Sequence, residues 1–295
     1  MAFRNLVLAS KKEVFGLYKY DDDEQARVRC QNLIEMGLIP FTGATLETEI
    51  GQAFVSLAAW VYFSGELGRN YSVSISGDPD FLEELVQLDL SPLKNEEYTK
   101  SESGLVDLRE TRLRILKESR RLAVMRDTGA TGRLMYTLGL EKPNGEDREN
   151  RATKKHYHSG LPSFVKTLIE YKPRREIGRK DALHRWVKVL LTDRWIQSRN
   201  ASQRKHTAKL HLRKHISEDA AREHGEEIVD LLNSVYHDNH YKGIFGYEQV
   251  RVKEDKGQKS HQSEVLLTNE QIGFIATKNF PNVGAPLLTV KPRYL

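Results

Sequence analysis

The chain has 295 residues, 39% of them hydrophobic, with 46 Lys and Arg against 41 Asp and Glu. That is enough apolar material for a sizeable core, and the length points to two lobes more readily than to one. The only cysteine, Cys30, excludes an internal disulfide framework and a multi-thiolate zinc site, and suits a reducing compartment. It reads as a small core residue. The opening Met-Ala-Phe-Arg-Asn-Leu-Val-Leu is too short an apolar run for a secretory signal, and the longest apolar run, Phe54 to Phe63, is about half the roughly 20 residues that span a bilayer. The expected location is intracellular and cytoplasmic, with no membrane partner.

Taken in order, Asn5 to Ala9 carries a weak strand signal. The acidic cluster at Asp21 to Glu24 reads as an exposed turn before a helix from about Glu24 to Glu35. Thr45 to Phe63 is apolar on most of its circumference and predicts a helix at the centre of a lobe. Tyr71 to Ser76 is a short strand candidate. Asp78 and Pro79 open a further helix, with Leu82, Leu85, Val86 and Leu88 as its apolar side, and Ser91 with Pro92 end it. Gly104 to Arg126 predicts an amphipathic helix. Residues 141–160 have no aliphatic side chain larger than alanine and read as a linker or mobile loop between an N-terminal lobe, 1–140, and a basic C-terminal lobe, 161–250.

In the second lobe, Ser163 to Tyr171 predicts a short helix. Lys180 to about Gln197 predicts a longer one, with Leu183, Trp186, Val187, Leu190 and Leu191 packed and Arg185 and Lys188 presented on the other side. Ala201 to Ile216 shows only a narrow stripe of Ala208, Leu212 and Ile216, and is read as a weakly anchored cationic helix. Ser217 caps an acidic helix whose core side is Ile228, Leu231, Leu232 and Val235. Residues 251–295 combine prolines with apolar side chains and read as an extended arm. The fold class is mainly α: two helical lobes with a basic inter-lobe surface and an extended C-terminal arm.

The charge is concentrated. Residues 161–216 hold fifteen Lys and Arg against four acidic residues, +11 in a chain whose whole balance is +5. A solvated helix face accounts for many charge runs, but this one is bordered by acidic or neutral sequence and interleaved with Phe164, Tyr171, Trp186 and Trp195. It points to a polyanion-facing surface. The candidate nucleic-acid-binding residues are Arg174, Arg175, Arg179, Lys180, Arg185, Lys188, Arg199, Arg204, Lys205, Lys209, Arg213 and Lys214. No zinc-finger, RNP or KH signature accompanies them, so the expectation is contact with the nucleic-acid backbone. Two lobes, a basic surface and an apolar arm resemble in architecture the helical nucleoproteins of negative-strand RNA viruses. The resemblance implies a self-assembling, non-catalytic protein on single-stranded RNA, forming a homo-oligomer through its arm, and a helical subunit of a larger nucleoprotein complex is a further alternative.

Arg199-Asn200-Ala-Ser-Gln-Arg-Lys-His206 resembles the R-x(4–6)-H motif of HEPN-domain ribonucleases. It implies an alternative in which His206 transfers protons and Arg199 stabilises the phosphate in the transition state. No Walker-type loop, dinucleotide fingerprint or serine-hydrolase elbow is present. His211 with His215, and His237 with His240, have helical spacings that can chelate zinc, but solvent or phosphate-side roles suit them better. No metal and no cofactor is expected.

Overall fold

The computed structural model describes residues 2–18, 22–68, 70–77, 79–93, 112–116, 121–125, 129–140, 160–171, 176–198, 207–215, 217–237, 246–255 and 258–267. It is mainly helical. The chain divides into two compact units, one of Met1–Pro143 with Glu176–Arg185, the other of Asn144–Arg175 with Trp186–Leu295. Each unit also carries a four-stranded antiparallel sheet.

In the first unit, short helices α1 (Lys11–Phe15), α2 (Asp23–Arg29) and α3 (Gln31–Glu35) precede the central helix α4 (Glu49–Ser64). A two-stranded sheet of β1 (Val7–Ala9) and β2 (Phe41–Thr42) lies among them. The expected helix over 24–35 is broken at Cys30, and Asp22 caps α2 by accepting from the Gln25 backbone N–H at 2.8 Å. Thr48 caps α4 in the same way through Gly51, at 3.0 Å. From Gly51 to Phe63 every residue of α4 is buried. Phe54 meets the Phe41 ring at 5.4 Å, and Trp60 meets Phe81 edge-on at 5.0 Å.

α4 runs straight into β3 (Gly65–Leu67), followed by β4 (Val73–Ser76), α5 (Pro79–Leu88), β5 (Arg112–Leu116), β6 (Arg121–Met125) and α6 (Ala130–Thr137). The sheet order is β3-β4-β6-β5. The segment expected as a helix over 104–126 therefore holds two strands. Its apolar residues at 113, 115, 122 and 124 alternate, which suits one buried sheet face. Gly132 lets α6 sit against the strand connection, where an added Cβ would lie 2.0 Å from the Tyr71 carbonyl oxygen.

The same element order recurs later in the chain, opened by α8 (Ile177–Arg194), whose residues are divided between the two units. This helix runs into β7 (Trp195–Ser198), then come β8 (Thr207–His215), α9 (Glu218–His237), β9 (Gly246–Asp255) and β10 (Gln258–Leu267), with sheet order β7-β8-β10-β9. Helix, two strands, helix and two strands thus occur twice, with the last strand of each set inserted beside the second. The separation of about 130 residues lies outside the 20–50-residue range of solenoid repeats, and the duplication is invisible in residue identities.

The helix expected over 201–216 is strand β8 from Thr207 onward. Leu210 and Leu212 are buried, a spacing of two that belongs to a strand and not to a helix. The expected arm begins as β9 and β10, and residues 268–295 lie outside the described residues. Ser217 caps α9 as expected, accepting from Ala220 N–H at 3.1 Å, and Ile228, Leu231, Leu232 and Val235 are its buried side.

Helix α7 (Ser163–Glu170) is fastened to α9 by one carboxylate. Glu227 accepts from the Leu161 backbone N–H at 2.6 Å and pairs with Lys166. Gly160 has φ +125°, and an added Cβ there would lie 2.5 Å from a Glu227 oxygen. Glu227→Ala is expected to lower the unfolding free energy by about 2 kcal/mol, the scale of a charge-assisted hydrogen bond together with an exposed donor. Urea unfolding at neutral pH measures it.

Candidate nucleic-acid interface

Strand register sorts the residues of the second sheet into two faces, because successive positions alternate and paired positions share a side. Val265 pairs with Leu210 and with Tyr247, and Ser263 pairs with Val250. These lie on the face covered by α9, where the Ser263 hydroxyl donates to the Ala221 carbonyl. Trp195 and Ala208 belong to it too, through the pairs Trp195↔Leu210 and Leu267↔Ala208.

The other face is basic. Gln262 pairs with Lys214 and Arg251, Ser260 with Lys253, Leu266 with Lys209, and Glu264 with His211 and Gln249. Lys209, Lys214, Arg251, Lys253 and His211 therefore share one side of the sheet, with Glu264 and Asp255 as its acidic positions. A bulge sets this arrangement. Between Gln262 and Glu264 the register shifts by one, with Leu212 and Arg213 facing the single Ser263. Without the extra residue, Lys214 would fall on the apolar side. The Gln262 side-chain amide donates to the Leu212 carbonyl at 2.5 Å, satisfying an acceptor at the bulge. Gln262 and Glu264 are buried at the centre of the face.

The first sheet is sorted in the same way. Leu67, Val73, Ile75, Leu122 and Val124 are all buried and share a face with Leu113 and Ile115 by register. The opposite face has Arg112, Arg114 and Arg121 with Glu66, Ser74, Ser76, Leu116, Ala123 and Met125. Arg121 and Ser76 are exposed there, and Ser74 and Glu66 are half-exposed.

On α9 the exposed residues include Asp219, Glu223, Glu226 and Asp230 with Arg222, and on α5 they include Asp80 and Glu84, whereas α1 and α2 also expose Lys11, Lys12, Arg27 and Arg29.

No protein-family model, curated protein or solved structure matches this chain.

The expected site residues fall into three groups. Lys209, Arg213 and Lys214 lie on β8, with Lys209 and Lys214 on the basic face and Arg213 at the bulge. Arg174, Arg175, Arg199, Arg204, Lys205 and the candidate catalytic His206 lie outside the described residues. Arg179, Lys180, Arg185 and Lys188 lie on α8. Arg179 is fully buried, and Arg185 donates to the Ser56 hydroxyl of α4 at 3.0 Å. Lys180 and Lys188 are half-buried. From Ile177 to Leu190 only Ile177 and Asp181 are exposed, so α8 does not present an open cationic side. Gln52 on α4 adds to the contact, donating to the Gly178 carbonyl at 2.9 Å. Trp186 is fully buried with its ring edge-on to Phe164 at 5.5 Å, a core residue and not a stacking platform.

Sequence reasoning missed Arg112, Arg114, Arg121, Arg251 and Lys253 as members of basic faces. The signal that finds them is period two: Arg-Leu-Arg-Ile over 112–115 and Val-Arg-Val-Lys over 250–253. Among the described residues no helix is long and apolar enough to cross a membrane.

Proposed function

We propose that this protein binds nucleic acid through its phosphate backbone, using the basic sheet faces of its two units, and does not cleave it. The observation that carries the reading is the register, which puts Arg112 and Arg114 opposite in facing to Leu113 and Ile115 in the first sheet, and Lys209, Lys214, Arg251 and Lys253 opposite in facing to the buried Leu210 and Val265 in the second. Sheet faces of this kind suit phosphate contact because cationic register positions recur from strand to strand at a spacing of about 4.8 Å.

The register positions on these faces contain no Phe, Tyr or Trp. Single-strand binding draws much of its energy from bases stacked on aromatic rings, about 1–3 kcal/mol per base. Lys, Arg, Gln, His and Ser instead supply phosphate contacts and base-edge hydrogen bonds of the kind a duplex groove offers. The reading therefore favours a duplex over the single-stranded RNA expected from the sequence, and it does not depend on an assembly arm.

Fluorescence anisotropy with a labelled 30-base-pair duplex and the matching single strand, from 50 to 300 mM KCl, tests it. The expected result is tighter binding of the duplex and a log–log salt slope of about −4 or steeper, since each phosphate contact contributes about −0.9. Absence of binding at 50 mM KCl, or a flat salt dependence, would reject the reading.

A further inference from the structure

We propose that Tyr136 and Tyr71 form a stacking site for an unpaired nucleobase, one carried by a single-stranded overhang at the end of a bound duplex. The inference rests on the nucleic-acid reading above and adds to it the aromatic contact that the sheet faces lack. The site belongs to the first unit and is built from the β3–β4 turn and α6. The Arg133 guanidinium lies over the Tyr18 ring, 3.8 Å from its centroid, and over the Tyr71 ring at 4.4 Å. The Tyr136 ring stands edge to face with Tyr71 at 5.8 Å. Arg133 and Tyr136 are three apart on α6 and so share one side of the helix. Tyr18 is buried, Tyr71 half-buried and Tyr136 exposed, so the row leads from the core to an open aromatic ring. Arg29, also exposed, meets the Tyr18 ring at 5.7 Å.

Close packing fixes these rings in place. Among the described residues Tyr71 is the only non-glycine with a positive φ, 59°, a left-handed conformation that bulky side chains rarely adopt. The Tyr71 N–H donates to the Gly68 carbonyl at 2.9 Å, and the Gly68 N–H donates to the Ser72 carbonyl at 2.8 Å, which closes the turn. On the helix side, Arg133 Nη1 donates to the Gly129 carbonyl at 3.2 Å. An added Cβ at Gly129 would lie 2.7 Å from Arg133 Nη1 and 2.9 Å from the Asn70 carbonyl oxygen. An unfavourable backbone conformation held this firmly beneath an exposed ring is the kind of strain that clusters at ligand-binding positions.

The chemistry of the row selects its occupant. An aromatic cage for a quaternary ammonium needs ring faces open to the cation, whereas here a guanidinium already lies on Tyr18 and Tyr71, so a second cation would be repelled. A planar neutral group attached to an anionic backbone fits instead. The base stacks on Tyr136, a contact that every base can make because every base has a π-face. The positive charges of Arg133 and Arg29 favour the adjoining phosphates. Stacking of this kind tolerates any base sequence, and its energy comes in addition to the salt-dependent contacts of the sheets.

The test uses the full-length protein with a blunt 30-base-pair duplex and with the same duplex carrying a three-nucleotide overhang, on the 3′ end in one sample and the 5′ end in another. At equal salt, at least one overhang is expected to bind about 10-fold tighter than the blunt duplex, the scale of one base stacked on an aromatic ring. With 5-iodouracil in that overhang, irradiation of the complex should cross-link Tyr136 or Tyr71 in the unmutated protein, a readout that needs no variant to fold. Tyr136→Ala should remove the preference for the overhang, and Tyr136→Phe, which keeps the ring, should retain it. Blunt duplex that binds normally while neither overhang gains affinity would overturn this site and leave the sheet-face reading standing, whereas failure of all three duplexes to bind would overturn both. Cross-linking confined to other residues, or a preference that survives Tyr136→Ala, would also overturn the site.

Discussion

Replacing Lys209, Lys214, Arg251 and Lys253 together by alanine will weaken duplex binding by about 10³-fold at 0.1 M salt and flatten the log–log salt slope by about 3 to 4. The size follows from counterion release at about 0.9 per phosphate contact on a duplex, with all four cations sharing one sheet face. The loss should be nearly uniform across base sequences, because phosphate contacts position a protein without reading bases. The four substitutions lie opposite the apolar face, so thermal stability should move little, on the scale of surface changes at about 0.5 kcal/mol or less each. A parallel variant, Arg112→Ala with Arg114→Ala and Arg121→Ala, should flatten the slope by about 2 to 3. If the two sets make separate contacts, their effects on the logarithm of affinity will add.

The second large effect is on folding. Trp186→Ala removes a fully buried indole that stands edge-on to Phe164. Truncation of a buried Trp costs about 3–5 kcal/mol, the lost transfer free energy together with a cavity that surrounding side chains only partly fill. Denaturant unfolding should show that loss, with the midpoint shifted and the second unit giving way first in hydrogen exchange. The salt slope of the folded fraction should stay that of the unmutated protein. A normal melt combined with weakened binding would mean that Trp186 acts as a stacking surface.

Much of the helical layer is legible in the sequence, because burial imposes a period near 3.6 on helices that pack on one side and caps mark their starts. Thr48, Asp22 and Ser217 hold such caps, and the apolar side of α9 follows from Ile228, Leu231, Leu232 and Val235. α8 is harder to read, since its cations are not all surface groups. Arg179 is buried and Arg185 reaches Ser56 on α4, contacts that depend on a residue more than a hundred positions away and that no local pattern reports.

The strands are harder again. In β8 the bulge interrupts the period of two after Leu212, so the cations of Thr207–His215 scatter on a strand template and partly fit a helical one. In β5 and β6 the alternation is regular, but Leu113, Leu116 and Ala123 also satisfy a loose helical spacing. Pairing with a partner strand decides between the two, and that is a tertiary fact. The charge asymmetry is legible from composition, whereas its placement on a sheet face is not. The cations at 112, 114, 121, 251 and 253 lie outside the 161–216 segment that composition singles out.

Lysine footprinting distinguishes a sheet-face interface from any other. The protein is acetylated briefly with and without a saturating 30-base-pair duplex at 50 mM KCl, and modification is read residue by residue. The expected result is strong protection of Lys209, Lys214 and Lys253, with Lys11 and Lys12, exposed on α1, modified equally in both samples. Equal modification of Lys209, Lys214 and Lys253 with and without bound duplex would contradict a sheet-face interface.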